Sequence, residues 1–234
     1  MDRLDSLQRD GYAYWPQAFD AHDATALAAL RHACEGAAAD SGPDPDAGDR
    51  DLLREPWCGE LAARLRERLA GAGLLAQDAV AVQCTLFRKS ANRNWKVTLH
   101  QDLSIPVAAR VQDARLSAWS RKQGGHFVQP PAELLERLLA VRLHLDPCGP
   151  GDGPLRVVPG SHRHGRLDAA AAAALRASQG ETACTAQRGD LLIMRPLLLH
   201  ASSKATRPQG RRRVLHFLYG PREPGYALHW SVSI

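Results

Sequence analysis

Two histidines and an aspartate carry the strongest chemical signal in this 234-residue chain. They are His100 and Asp102, in the stretch LHQD, and His200, which ends the apolar run RPLLLH. In a β-strand, residues i and i+2 project to one face, so His100 and Asp102 should point together while Leu99 and Gln101 point away. A second imidazole from a neighbouring strand would complete the set of two histidines and one carboxylate that holds non-haem iron(II) on a single face. Such a set leaves coordination positions open for a bidentate 2-oxo acid and for O2. An H-x-D pair by itself is a common pattern, and His126, His144, His162, His164 and His216 are competing ligands. His162 and His164 fall in GSHRHG, whose flanking residues mark a turn, so they rank below His200.

A 2-oxo dicarboxylate also needs a cation for its far carboxylate. The planar fork of arginine suits this, because it meets a carboxylate bidentately and stays charged. RRRVLHFLY offers Arg211, Arg212 and Arg213 at the start of a strand expected to return antiparallel beside the one ending at His200. Ser202, two residues past His200, could add a hydroxyl to the same carboxylate.

The elements that must position these groups change character along the chain. The N-terminal part reads as helical: Asp23 could cap ATALAALRHACEGAA, and a second helix is expected from about Gly59 to Ala72. Between them lies SGPDPDAGDRD, a stretch of turn formers. From about Ala79 the pattern turns to short β-rich runs bounded by Gly, Pro, Asp or Ser: AVAVQCTLF, WKVTLHQD, VRLHLD, PLRVVPG, LLIM and RRVLHFLY. Two further helices are expected, PPAELLERLLA and DAAAAAALRAS. Many short strands point to a sandwich or jelly-roll, mainly β with flanking α-helices, in one domain over residues 1–234.

Bulk properties remove other classes. The net charge is +5, but the basic residues are nearly all arginine interspersed with acids, which is not a nucleic-acid-binding stripe. No apolar run approaches the roughly 20 residues that span a bilayer. The opening residues lack a basic and apolar leader, so the expectation is a cytoplasmic protein with a small-molecule substrate and neither nucleic acid nor membrane as partner. Oligomeric state is left open. Cys34, Cys58, Cys84, Cys148 and Cys184 are scattered, odd in number and outside any CxxC pair, so reduced thiols are expected.

The segment from Leu103 to Gln129 follows the H-x-D directly. SAWSRKQGGHFVQPP reads as a loop with Gly124 and Gly125 as hinges, a lid whose Trp119, His126 and Phe127 would face a substrate.

With these parts in place, the sequence resembles the phytanoyl-CoA dioxygenase family, and in particular its small bacterial members. Four blocks carry the resemblance in the family's order: RDGYAYWPQAFDAHDATAL, LFRKSANRNWKVTLHQD, GDGPLRVVPGSHRHGRL and GDLLIMRPLLLHASSKATRPQGRRRVLHFLY. The resemblance implies a double-stranded β-helix (cupin-like jelly-roll) and an oxygenase using Fe(II), 2-oxoglutarate and O2. It implies His100, Asp102 and His200 as iron ligands. It also implies Ser202 and Gln83 as co-substrate contacts, together with Arg212, reached by counting back from Tyr219. A one-residue difference in loop length keeps Arg211 and Arg213 in play. Gly160, Ser161 and His162 match a signature read as structural. Asp102 stands where halogenases on this scaffold carry a small residue, so hydroxylation or a related oxidation of a small metabolite or natural-product intermediate is implied. The alternatives are a zinc-dependent hydrolase on the same residues and a non-catalytic jelly-roll binding protein.

Overall fold

The apolar strand sequences lie in a five-stranded antiparallel sheet buried on both faces, which is why they show little alternation. The computed structural model describes residues 2–19, 30, 51–89, 94–206 and 212–234. The helix expected after Asp23, except Leu30, and nearly all of the Gly-Pro-Asp stretch fall outside them, as does Arg211. In spatial order the sheet comprises β1 (Tyr12–Trp15), β10 (Leu191–Met194), β7 (Leu139–His144), β12 (Arg212–Gly220) and β2 (Val80–Lys89). Its outer face carries Val141 and Leu143 of β7 and Leu215, Phe217 and Tyr219 of β12. Helix α1 (Arg3–Arg9) and helix α2 (Pro56–Gly71) cover that face with Leu7, Leu61, Leu65 and Leu69. Each such leucine contributes about 1.5–3 kcal/mol by leaving water. Tyr219 keeps its hydroxyl satisfied by donating to the Ala62 carbonyl at 2.9 Å.

The inner face looks across to a four-stranded sheet of β3 (Val97–His100), β11 (His200–Ser202), β8 (Leu155–Val157) and β9 (Thr182–Cys184), in that order. Ala140, Leu192, Met194 and Leu218 from the first sheet meet Leu155, Val157 and Cys184 from the second. The two sheets form the expected jelly-roll, and α4 (Ala169–Gln179) follows β8 with Asp168 accepting from the Ala171 amide as its cap.

Three sequence expectations are corrected. The stretch from Leu103 to Gln129 is a third sheet rather than a loop: β4 (Ile105–Val107), β6 (Gly125–Gln129) and β5 (Ser117–Lys122), ordered β4-β6-β5. Lys122 pairs with Gly125, and the two residues between them, Gln123 and Gly124, both have positive φ. That is a type I′ hairpin turn, so the Gly pair read as hinges closes a tight turn. Ile105, Val107 and Val128 anchor this sheet in the inner core. The helix expected over PPAELLERLLA is only one turn and a half, α3 (Ala132–Glu136), because the chain enters β7 at Leu139. Tertiary pairing wins there, since residues 139–144 bridge β10 and β12 on both sides. Helix α2 starts earlier than expected, at Pro56, which supplies a preset φ and lacks only an amide that a first turn leaves unbonded.

Cys58, Cys84, Cys148 and Cys184 are buried and in no disulfide, and Cys34 lies outside the described residues. No helix of the described residues is long and apolar enough to cross a membrane.

Candidate metal centre

β3 and β11 pair antiparallel with His100 directly opposite His200, and their rings lie 4.2 Å apart between centroids. Directly opposed positions bring side chains together, which explains why two histidines 100 residues apart in sequence share one site. Past His100 the chain leaves the ladder, and the Asp102 amide bonds the Pro196 carbonyl at 2.9 Å. Asp102 therefore stays on the His100 face without being part of the strand. Its Oδ1 lies 3.6 Å from His100 Nε2 and its Oδ2 3.7 Å from His200 Nε2. Among the described residues, His100, Asp102 and His200 form the group that could hold a metal ion, with ligand atoms all within 4.8 Å of one another.

The backbone sets both tautomers. His100 Nδ1 lies 2.8 Å from the Thr98 carbonyl and His200 Nδ1 2.8 Å from the Leu198 carbonyl. A carbonyl only accepts, so each Nδ1 carries the proton and each Nε2 presents a lone pair to the centre. Burial pushes the His200 ring down to about 4 against the attraction of Asp102, so it is neutral at neutral pH, as a metal ligand must be. Burial alone would raise the Asp102 carboxyl, but the facing His200, His100 and His216 rings hold it well below the usual carboxylate range. A donor set of two neutral imidazoles and one carboxylate suits a divalent first-row ion.

Neighbouring residues brace these ligands. Gln101 turns away from the centre and spends its amide on the Gly165 and Leu197 carbonyls and the Leu167 amide. Ser161, after the left-handed Gly160, accepts from the Leu199 amide at 2.8 Å and so fixes the strand entering His200. This gives the GSH signature its structural role.

The triad sits in the wall of a cavity of about 540 Å³ between the two main sheets. Strand parity decides what else faces it. On β12, Arg212, His216 and Leu218 line the cavity. Arg213 turns outward, and its Nε and Nη2 bond both carboxylate oxygens of buried Asp146 at 2.7 and 2.9 Å. Arg211 lies outside the described residues. Arg212 is 6% exposed and donates to the Gly153 carbonyl, while its Nε is buried without a partner among the described residues. Ser202 also lines the cavity, but its hydroxyl proton goes to the Gly153 carbonyl at 2.9 Å and Lys89 Nζ donates to its oxygen at 2.8 Å. Gly153 has φ +63, and a Cβ there would collide with the Ser203 carbonyl, so only glycine fits this convergence. Gln83 lines the cavity and donates to Thr85 Oγ1 at 3.0 Å.

Of the three residues expected to face a substrate, Phe127 lines the cavity, under the Lys122 ammonium at 4.9 Å. Trp119 and His126 are not among the described lining residues. Trp119 stacks with the Arg110 guanidinium at 5.6 Å. His126 is one residue out of phase with Phe127 on β6 and so projects to the sheet's other face.

Sequence reasoning missed Arg142 and Lys89, both nearly inaccessible. Arg142 lines the cavity from β7, bonds His216 Nδ1 and leaves its Nε buried without a described partner. Burial pushes Lys89 down to about 7, with Arg212 nearby adding to the effect. The signal was present: a charged residue inside an otherwise apolar strand must point into a polar interior or be paired.

A model of the phytanoyl-CoA dioxygenase family (PhyH) matches residues 7–214. No curated protein matches the chain. Among solved structures, AviO1 from Streptomyces viridochromogenes Tue57 superposes with a TM-score of 0.64 at 22% identity, covering 97% of this chain and 95% of that one. SnoK, a non-haem alpha-ketoglutarate-dependent carbocyclase from nogalamycin biosynthesis, gives 0.67 at 17% identity over 96% of this chain and 87% of its own. EctD from S. alaskensis, solved with 2-oxoglutarate and 5-hydroxyectoine, gives 0.68 at 23% identity over 93% and 74%. At these identities the likeness establishes a common fold.

Proposed function

This chain belongs to the phytanoyl-CoA dioxygenase family, and we propose that it is a non-haem Fe(II)- and 2-oxoglutarate-dependent oxygenase acting on a small molecule, with His100, Asp102 and His200 as its iron ligands. The observation that carries the site assignment is the charge pattern of the cavity. Among its described lining residues Lys96, Lys122, Arg142 and Arg212 are cationic, and Asp102 is the one acid. Buried arginine nitrogens without partners cost free energy unless an anion meets them. A dicarboxylate fits, with one end at the triad and the other at Arg212.

When bound, iron with O2 supplies the oxidising chemistry and 2-oxoglutarate is consumed to succinate and CO2. The chain's residues do the rest. His100 and His200 offer bare Nε2 lone pairs, and Asp102 brings the single negative charge. Arg212 pairs the distal carboxylate, and Lys89 holds Ser202 and adds positive potential beside it. Gln83 and Thr85 supply polar contacts on the β2 side of the cavity. Ile105, Phe127 and Leu138 give the cavity an apolar wall that restricts water and shapes the substrate region.

EctD in the solved structure holds 2-oxoglutarate, which supports the same co-substrate here. A zinc hydrolase would have no use for the buried arginines opposite the triad. A cytoplasmic setting remains part of the proposal. The test is anaerobic titration of 2-oxoglutarate into Fe(II)-loaded protein. A visible metal-to-ligand charge-transfer band that saturates at one equivalent is expected, and no band with iron demonstrably bound overturns the reading.

A further inference from the structure

Three histidine Nε2 atoms surround the Asp102 carboxylate at nearly equal range: His100 at 3.6 Å, His200 at 3.7 Å and His216 at 3.9 Å. Distance alone would make His216 a third imidazole ligand. Its hydrogen bonding says otherwise. Arg142 Nη1 lies 3.0 Å from His216 Nδ1. A guanidinium has donors and no acceptor, so His216 Nδ1 must accept and the ring proton must sit on Nε2. His100 and His200 have the opposite arrangement, with carbonyls at Nδ1 and bare Nε2 atoms. Phe87 supports the inversion from β2. The Arg142 guanidinium lies 5.5 Å from its ring, and His216 meets the ring edge-on at 5.8 Å and 81°.

We infer that His216 is a positioning residue whose Nε2–H is reserved for the Asp102 oxygen that does not bind the metal, and that Arg142 locks it in that tautomer. The inference rests on the iron site proposed above. Its consequence is the denticity of Asp102. A carboxylate with both oxygens free can close on a metal with both, removing an open position that a bidentate 2-oxo acid and O2 together need. An N–H donor on Oδ2 keeps Asp102 monodentate. The present 3.9 Å must shorten by about 1 Å to make that bond, a shift within reach of side-chain adjustment when the carboxylate turns toward an ion. Hydrogen-bonded ligand carboxylates are the usual pattern at metal sites, and removing such a partner typically costs 10–100-fold in metal affinity or activity.

Ring 15N NMR of His216, assigned by its loss in His216→Gln, tests the tautomer in metal-free protein and after loading with Zn(II). Protonated Nε2 and unprotonated Nδ1 in both states is the expected result. A proton on Nδ1 in the metal-free protein overturns the tautomer, and loss of the Nε2 proton on loading would make His216 a ligand; either result overturns the inference. A second measurement reads function through binding: the anaerobic 2-oxoglutarate affinity of the Fe(II) forms. His216→Leu should weaken it by about tenfold or more, while His216→Gln, which keeps an N–H donor, should recover most of the loss. Equal losses in both variants, or none in either, overturn the donor role. If the wild-type protein binds no 2-oxoglutarate, the proposed function fails, whereas the metal-free NMR result still decides the tautomer.

Discussion

Arg212 and Arg213 are adjacent on β12 yet face opposite sides of the sheet, one into the cavity and the other into a buried ion pair with Asp146. Two substitutions one residue apart should therefore fail differently. Arg212→Ala should weaken 2-oxoglutarate binding by on the order of 2–4 kcal/mol, the loss of a charge-assisted pair. Arg213→Ala takes the guanidinium away from the buried Asp146 carboxylate and should cost about 3–5 kcal/mol of stability. Calorimetric 2-oxoglutarate titration and denaturant melts separate the two. Similar affinity losses in both folded variants would show that strand parity is not what selects the arginine.

Much of this candidate site is legible in the sequence. His100, Asp102 and His200 stand out because their side chains and strand spacing suit a metal-binding set, and the four sequence blocks in order carry the family resemblance. What stayed hidden depends on three-dimensional partners. Arg212 could be reached from the sequence only by counting back from Tyr219 along a family resemblance. The pairing of Arg213 with Asp146, 67 residues away, is the physical reason for that choice. Arg142 hid in VRLHLD because a local reading sees a β-strand, whereas its inward direction follows from pairing with β12. Trp119 and His126 fall outside the described cavity lining because Gln123 and Gly124 form a tight turn, and the hairpin it closes gives each residue a fixed side.

That hairpin alters the expectation for substrate contacts. Phe127→Ala should lower substrate-dependent turnover or uncouple it from 2-oxoglutarate consumption, since Phe127 lines the cavity beside Lys122. Trp119→Ala and His126→Ala should leave the coupling ratio close to wild type. The ratio of oxidised product to succinate measures this, and a larger effect from His126→Ala than from Phe127→Ala would contradict the assignment of faces.

His144 gives a stability prediction with a defined sign. It is buried on β7 with neither ring nitrogen hydrogen-bonded among the described residues. Burial, aided by facing Arg142 and Arg212, pushes its pKa down from 6.5 to about 3. The unfolded chain then binds the extra proton first as pH falls below about 6.5, so stability drops toward pH 4 and is fully present above the unfolded value. The contribution is on the order of a few kcal/mol by pH 4. Melting temperatures across pH 4–7 should fall less steeply for His144→Leu than for wild type, and an unchanged slope would mean that His144 is not the group responsible.

The Lys89–Ser202 contact predicts a split between similar variants. Lys89→Met removes the donor to Ser202 and an amine that burial and Arg212 leave only partly protonated at neutral pH. It should raise the 2-oxoglutarate requirement about tenfold or more. Ser202→Ala should cost less, because the serine proton is already committed to the Gly153 carbonyl. Apparent KM values for 2-oxoglutarate compare them directly, and a Ser202→Ala effect exceeding that of Lys89→Met would reverse the roles given to the two residues.

We propose that His100, Asp102 and His200 hold the iron at which 2-oxoglutarate is consumed. Succinate formation tests it most directly, measured in air with Fe(II), 2-oxoglutarate and a small-metabolite extract, for wild type beside folded Asp102→Ala and His200→Ala. Wild-type protein should form succinate in a reaction that depends on Fe(II) and is not supported by Zn(II), and neither variant should form any above background. Wild-type levels of succinate from a folded, metal-analysed Asp102→Ala or His200→Ala protein would contradict it.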